Sequence, residues 1–334
     1  MSASPESIAV LLNPNARRVD AEVLDIIGDF VDPEHVYISD SEQKARELVD
    51  EIVAKGYGTL FAGGGDGTIT QLINRLPDDE GAPRVGILKL GTGNAMAEIV
   101  SSGDPIVDLR TYTANPSRDA HNLPLCEVEG MRFAFGGLGV DATVLNDYRT
   151  LKDNYGDGVM KPLLQNLAGY LVAAFSVTIP RMLRRWLNQG QPTVRIVNEG
   201  SPATVLRMED GTGAVEERLV PTGEVLYEGP VNTVMFGTCP FYGYRMKALP
   251  FAGMDPDRFH LRVSNVPIGV VVAIISRLWD GTLNHPGIMD FHADRVRMTF
   301  SEPMPYQVAG EAMGYRNEVN IGMSEAGVDL VRFI

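Results

Sequence analysis

Basic charge is in short supply in this 334-residue chain, which carries 29 Lys and Arg against 43 Asp and Glu for a net charge of −14. That balance excludes an ordinary nucleic-acid binder, whose footprint on phosphate is basic. It also argues against tight electrostatic docking on an anionic membrane, except through a local basic patch. Cysteine is scarcer still. Cys126 and Cys239 stand far apart in sequence, which leaves no disulfide framework and no zinc-ligand spacing, and fits a reducing compartment. The five histidines include no close pair, so a transition-metal site has no support. Long apolar runs are missing too. The stretches 167–179 and 268–275 fall short of the roughly 20 residues that span a bilayer. The start, Met1-Ser2-Ala3-Ser4-Pro5-Glu6-Ser7, has neither the charged nor the apolar region of a signal peptide, so a soluble, cytoplasmic protein is expected.

What the chain does have is glycine placed after apolar strands. Thr59-Leu60-Phe61-Ala62 runs into Gly63-Gly64-Gly65-Asp66-Gly67-Thr68, and Ile69, Leu72, Ile73 and Leu76 follow at helical spacing. A strand, a glycine run and a helix start together suit a phosphate, because bare backbone can approach the anion and unpaired N–H groups point at it. A tight turn with a capping Asp would need fewer glycines than these. A second apolar strand, Arg84–Leu90, runs into Gly91-Thr92-Gly93-Asn94. Ile8–Leu12 is a third, ending in Asn13-Pro14. Helices are expected near 20–30 and over Glu42–Lys55, the latter capped by Ser41, with a strand at His35–Ser39 between them. This alternation predicts a parallel sheet covered on both faces, with its ligand at the C-terminal strand ends. Neither glycine loop completes the dinucleotide fingerprint, and no Gly-Lys-Ser/Thr follows for a Walker A loop.

Around 104–118 the pattern loosens into what looks like a connection. Beyond His121 the texture changes to short strands, with a helical segment at 155–189 whose Leu163, Leu164, Leu167, Tyr170, Leu171, Ala174 and Phe175 form one stripe. Arg181, Arg184 and Arg185 cluster near its end beside Trp186, either as a solvated basic end or as a contact to a lipid interface. Asp210-Gly211-Thr212-Gly213 is a hairpin signal, and further strands run to 334 around a helix at 269–278. Two domains follow: an α/β domain over 1–120 with an open parallel sheet, and a mostly β, sandwich-like domain over 121–334. Gly137-Leu138-Gly139-Val140-Asp141-Ala142 satisfies G-x-G-x-x-A, but a lone match is weak and no acidic continuation follows.

Asn13-Pro14, Gly63-Gly64-Gly65-Asp66-Gly67-Thr68 and Gly91-Thr92-Gly93-Asn94, in this order and spacing, resemble the diacylglycerol kinase catalytic-domain family. That family includes bacterial lipid kinases, sphingosine kinases and ceramide kinases, and is distantly related to NAD kinases. The resemblance extends into the second half through the glycine turn ending in Asp141-Ala142, the turn over 239–250, and Gly310-Glu311. It implies an ATP- and Mg²⁺-dependent kinase acting on a lipid alcohol such as diacylglycerol, with the acceptor entering between the domains and segment 155–189 forming the lipid-side wall. It also implies a membrane-surface substrate and leaves a homodimer open. For the nucleotide it implies Asn13, Ser39, Gly63, Gly64, Gly65, Asp66, Gly67, Thr68, Gly91, Thr92 and Asn94. For catalysis it implies Asp66 and Glu311, either of which could take the alcohol proton. Two departures stand out. Ala309 replaces the family's usual Asp before Gly310-Glu311. The Asp-rich turn that often holds a structural metal is reduced to Asp255 and Asp257, with His260 where a carboxylate is usual. A sphingoid-base or ceramide kinase stays open as acceptor class. A NAD kinase would add a Thr-Pro-Thr-Gly-Ser-Thr-type segment that this chain lacks. A non-catalytic nucleotide-binding regulator remains the rival from another class.

Overall fold

The computed structural model describes residues 7–13, 21–78, 81–91, 93–116, 119–155, 178, 180–181, 184–185, 190–209 and 213–333. Contacts divide the chain into two units: residues 1–125, 131–134 and 324–334, and residues 126–130 and 135–323.

The first unit is built on strands β1 (Ile8–Leu12), β2 (Val36–Ile38), β3 (Thr59–Gly64), β4 (Arg84–Lys89), β5 (Ala120–Leu123) and β18 (Val328–Val331), in the order β2-β1-β3-β4-β18-β5. All neighbours pair parallel except β18 and β5. The apolar runs of β1 and β3 are buried because a parallel sheet in this setting is covered on both faces. Helices α1 (Ala21–Gly28), α2 (Glu42–Lys55), α3 (Asp66–Ile73), α4 (Ala95–Ile99) and α5 (Pro105–Ala114) connect the strands. Val10, Leu12, Phe61, Leu88 and Val331 of the sheet pack with Ile27 of α1 and with Leu109 and Tyr112 of α5.

Two elements of the first unit differ from the sequence expectation. The supposed connection at 104–118 contains α5, begun by Asp104, whose carboxylate accepts from the N–H groups of Ile106 and Val107, with Pro105 at its first position. Its apolar pattern is weak, yet Asp-Pro is a good helix start in its own right. The last strand, expected among residues 121–334, instead lies between β4 and β5 of the first sheet. Its buried Val328, Leu330 and Val331 suit that sheet, and nothing local in the chain marks which sheet it joins.

The first unit also takes β7 (Met131–Phe133). Arg132 on β7 donates to the carbonyls of Ile73 (2.6 Å) and Leu76 (3.1 Å), at and just past the end of α3, and forms an ion pair with Asp78.

The second unit is mostly antiparallel. Strands β6 (Cys126–Val128), β8 (Phe135–Gly139), β10 (Ala203–Glu209), β11 (Gly213–Val220), β13 (Thr233–Gly237), β14 (Phe259–Ser264), β15 (Ile288–Ala293), β16 (Arg295–Val308) and β17 (Glu311–Met323) follow the order β11-β10-β15-β14-β13-β8-β16-β17-β6. Strand β9 (Thr193–Asn198) pairs with β16 and with β12 (Val225–Pro230). Helix α6 (Val140–Tyr155) leaves β8, and short helices α7 (Ile268–Ala273) and α8 (Ile275–Trp279) lie between β14 and β15. The helical expectation at 155–189 falls almost wholly outside the described residues. So do Asp210, Gly211 and Thr212, although β10 and β11 pair as the hairpin they predict.

At the centre of β14 and β15, Arg262 is fully buried and makes two bonds to Asp290, at 2.7 and 3.1 Å. His260 shares the Asp290 carboxylate at 2.8 Å. Arg262 and His260 hold the Asp290 carboxyl well below the usual carboxylate range against its burial, whereas burial pushes the His260 imidazole down.

Candidate nucleotide and acceptor sites

In the parallel sheet, Leu12 of β1 is in register with Ile38 of β2 and Gly63 of β3, and Gly64 with Lys89 of β4. One row of strand ends therefore carries Asn13, Ser39, Gly65 and Gly91, as the sequence predicts. The N–H of Ser39 donates to Leu12 O at 3.0 Å, and its buried hydroxyl donates to Ser41 O at 3.1 Å. Asn13 N–H lies 3.5 Å from Gly63 O. Thr92 lies outside the described residues.

The two glycine loops touch backbone to backbone. A Cβ on Gly91 would collide with the N and Cα of Gly65, and one on Gly65 would stand 3.3 Å from Gly93 O. A Cβ on Gly64 would stand 2.7 Å from the Thr68 side chain. Gly64 and Gly91 are required by packing, whatever ligand binds. Helix α3 has Gly65 at its N-cap, with no side-chain cap. The amides of Gly67 and Thr68 in its first turn lack intrahelical acceptors, and are therefore directed outward from the strand ends.

Asp66 does not face outward. Its Oδ2 accepts from Ala95 N–H at 2.9 Å and its Oδ1 from Met96 N–H at 3.2 Å, the first amides of α4. Its own N–H donates to Gly93 O at 3.3 Å. Asp66 thus caps the helix behind the second loop and ties the loops together. Burial pushes its carboxyl up to about 6, while the two amide bonds pull the other way. Asn94 donates to Gly91 O at 3.0 Å, and its Oδ1 is buried without a partner among the described residues. Lys89, at the end of β4, pairs with Glu98 of α4 at 2.9 Å, which fixes α4 from its other side.

The second unit gathers a different set. Asp141 stands in the first turn of α6, and Gln307 Nε2 donates to its Oδ2 at 3.1 Å. The same Nε2 lies 3.0 Å from Tyr242 Oη, which donates to Gly136 O at 2.6 Å. Asp141 Oδ1 is buried with no partner among the described residues. Burial pushes the Asp141 carboxyl up to about 6, opposed chiefly by the Gln307 bond. Gln307 also accepts from Gly310 N–H at 2.9 Å through its Oε1. It therefore joins Asp141 to the turn that carries Glu311.

That turn is a two-residue hairpin, with Val308 paired to Glu311 and left-handed backbone at Ala309 (φ 49°) and Gly310 (φ 78°). Asn or Asp would be at ease at the first of these positions, and Ala309 is not. Glu311 itself is exposed at the start of β17. The sequence reading named the glycine turn around Asp141 but gave Asp141 no role. Its partner Gln307 is 166 residues away, and only the tertiary structure shows the pair. The G-x-G-x-x-A match sits on β8, which pairs antiparallel with β13 and β16, so it is not part of a parallel dinucleotide-binding unit.

Asp255 and Asp257 are not gathered into a metal centre. Asp255 Oδ1 accepts from Asp257 N–H at 3.0 Å, its other oxygen lies 3.5 Å from Arg258, and the nearby His260 is turned to Asp290. No group of three or more His, Cys, Asp or Glu that could hold a metal ion occurs among the described residues.

Two interlocked glycine loops thus stand at the C-terminal ends of the parallel strands, an arrangement of the kind that suits a phosphate. Residues 7–121 match the family model of the diacylglycerol kinase catalytic domain, and the resemblance seen in the motifs is thereby shown over that span. A "Probable lipid kinase YegS-like" protein of Pseudomonas aeruginosa strain PAO1 is 38% identical over 102 residues, 30% of this chain and 33% of that protein. A "Probable lipid kinase YegS" of Escherichia fergusonii is 30% identical over 150 residues, 43% of this chain and 50% of that one. The chain thus spans a third to a half of the length of these curated relatives. A solved diacylglycerol kinase from Bacillus anthracis str. Sterne superposes with a TM-score of 0.65 at 14% identity, over 98% of this chain and 97% of that one. Another from the same organism gives 0.67 at 16%, over 98% and 95%. At such identities the likeness is one of fold.

Proposed function

We propose that the protein is an ATP-dependent lipid kinase that transfers the γ-phosphoryl group to the hydroxyl of a lipid alcohol, with diacylglycerol as the first acceptor to test. The observation that carries this reading is the uncapped start of α3 beside two glycine loops locked together by Asp66. Phosphoryl transfer asks the protein mainly to position phosphates and stabilise charge, and outward-facing backbone amides do both. Asn13, Ser39, Gly91, Thr92 and Asn94 would hold the rest of the nucleotide. Mg²⁺ would neutralise charge on the phosphates, and a cation of this kind commonly rides on phosphate oxygens with only one or two carboxylates.

Asp66 is a positioning residue in this scheme, since both its oxygens serve α4 amides. The alcohol proton falls to Asp141 or Glu311. Asp141 has the better chemistry, with a carboxyl raised to about 6 and an oxygen that lacks a donor. The protein would meet its acceptor at a membrane surface, and no helix among the described residues is long and apolar enough to cross one.

The test is ATP-dependent phosphorylation of a lipid-alcohol panel in mixed micelles with Mg²⁺, using the parent, Asp141→Asn and Glu311→Gln. Transfer to one lipid class, lost in at least one carboxylate variant, supports the kinase. ATP binding without transfer to any lipid would favour a non-catalytic nucleotide-binding regulator, a reading that the structural use of Asp66 keeps alive. Absence of ATP binding would refute both.

A further inference from the structure

We propose that the Tyr244–Lys247 turn together with α7 and α8 forms the face through which this protein docks on an anionic lipid bilayer, a reading that rests on the proposed action on a lipid alcohol. From Ser264 to Ser276 the sequence carries no charged side chain, and this run includes all of α7 and the start of α8. Val266 within it is buried at 1%, but the helical part reaches the surface. Gly269, Val270 and Ala273 are exposed, Val270 at 37%, while Val271, Ile274 and Ile275 are half-buried. The exposed part of this stretch is thus charge-free, with Val270 as its large apolar residue.

Basic charge is brought to the end of α8 by the backbone. Lys247 N–H donates to Trp279 O at 3.0 Å, and a Cβ on Gly281 (φ 72°) would stand 2.8 Å from Lys247 Cβ. This seats the turn on the end of α8. Arg245 and Lys247 on the turn and Arg277 on α8 are all exposed, with Asp280 three residues beyond Arg277 and Asp255 eight beyond Lys247. Lys247 lies 5.8 Å from the centre of the Phe241 ring, and Trp279 is half-buried beside it in the fold. Apolar tip, aromatic residues and a cationic rim are what the interface of an anionic membrane selects. The turn is also strained. Tyr244 (φ 59°) and Arg245 (φ 63°) are successive non-glycine residues in the left-handed region, a cost that local contacts must offset.

Two arginines of the segment that the sequence offered for this task have carboxylate partners. Arg181 pairs with Asp147 at 2.9 Å and Arg185 with Glu302 at 2.7 Å. Those two cations are already answered by protein carboxylates.

The test is co-sedimentation of the full chain, without ATP, on vesicles of phosphatidylcholine alone and of phosphatidylcholine with phosphatidylglycerol. Binding is expected only to the anionic vesicles and should weaken with added salt. Lys247→Gln and Arg277→Gln should each weaken it about fivefold, the equivalent of about 1 kcal/mol per cation. Val270→Asp should weaken it at low and high salt alike. Thermal unfolding and ATP binding should stay at parent values in all three. Unchanged pelleting of the variants, no pelleting of the parent, or loss of binding in Arg181→Gln and Arg185→Gln instead would overturn the proposal. Phosphorylation of a short-chain, water-soluble diacylglycerol separates the two readings. If it occurs and the variants pellet like the parent, docking fails and the kinase stands. If no lipid is phosphorylated while docking is lost in the variants, the kinase fails and docking stands.

Discussion

The carboxylate of Asp66 lies 2.9 Å from Ala95 N, so the acidic residue of the first glycine loop serves as the helix cap of the second. Replacing it with Asn leaves one acceptor for two amides and should cost about 1–3 kcal/mol of stability. As a positioning residue, Asp66→Asn should raise the ATP dissociation constant about tenfold and lower kcat only a few-fold. A base would behave the opposite way, with unchanged ATP affinity and kcat down by about 10²–10⁴. Equilibrium titration of ATP beside single-turnover rates tells the two apart.

Gly91→Ala places a methyl group against the backbone of Gly65, where no side chain can yield. We expect about 1–3 kcal/mol of lost stability and ATP binding reduced below detection. Gly28→Ala, with nothing within 4 Å of the new methyl, should bind ATP as the parent does. Equal behaviour of the two variants would mean that the loops do not need their close approach.

Asp141 gives a pH signature. If it takes the alcohol proton, kcat/KM should rise toward neutrality with an apparent pKa of about 6, and Asp141→Asn should lose that limb together with most of the rate. Stability should run the other way. The folded state holds a proton on Asp141 that the unfolded chain releases near pH 3.9, so this contribution is full below that value and is lost as pH rises through about 6. Asp66 adds a second contribution of the same sign. Urea unfolding at several pH values should show a shallower decline between about pH 4 and 6 in Asp141→Asn than in the parent.

Arg262→Met removes two hydrogen bonds from the buried Asp290 and one, at 3.1 Å, from Ala248 O. The stranded carboxylate should cost about 3–5 kcal/mol. Changing Arg262, Asp290 and His260 together to apolar residues of similar size should recover much of that loss in urea unfolding. A single-variant cost below about 1 kcal/mol would show that the pair carries little of the strand packing.

Much of the first sheet was legible because its signals are local. Ile8–Leu12 and Thr59–Ala62 are apolar runs, Ser41 caps α2 by accepting from Lys44 N–H at 3.2 Å, and Gly56 ends that helix in left-handed backbone. The row of residues at the strand ends was legible too, since parallel strands of like length place the residues after them side by side. Helix α5 escaped because its apolar stripe is weak and its only clear signal is Asp104-Pro105. Helix α6 was missed where it follows β8, and the helix was expected to begin near where α6 ends.

By itself the sequence determined the parallel α/β start, the glycine loops and their order, because strand burial, turn glycines and caps act over a few residues. It determined a second half rich in short strands for the same reason. Only the tertiary structure decided that the final strand returns to the first sheet, that the Asp66 carboxylate points to α4, and that Gln307 couples Asp141 to the turn before Glu311. These depend on which distant backbone amide or side chain arrives at hydrogen-bond distance, and periodicity along the chain holds no record of that.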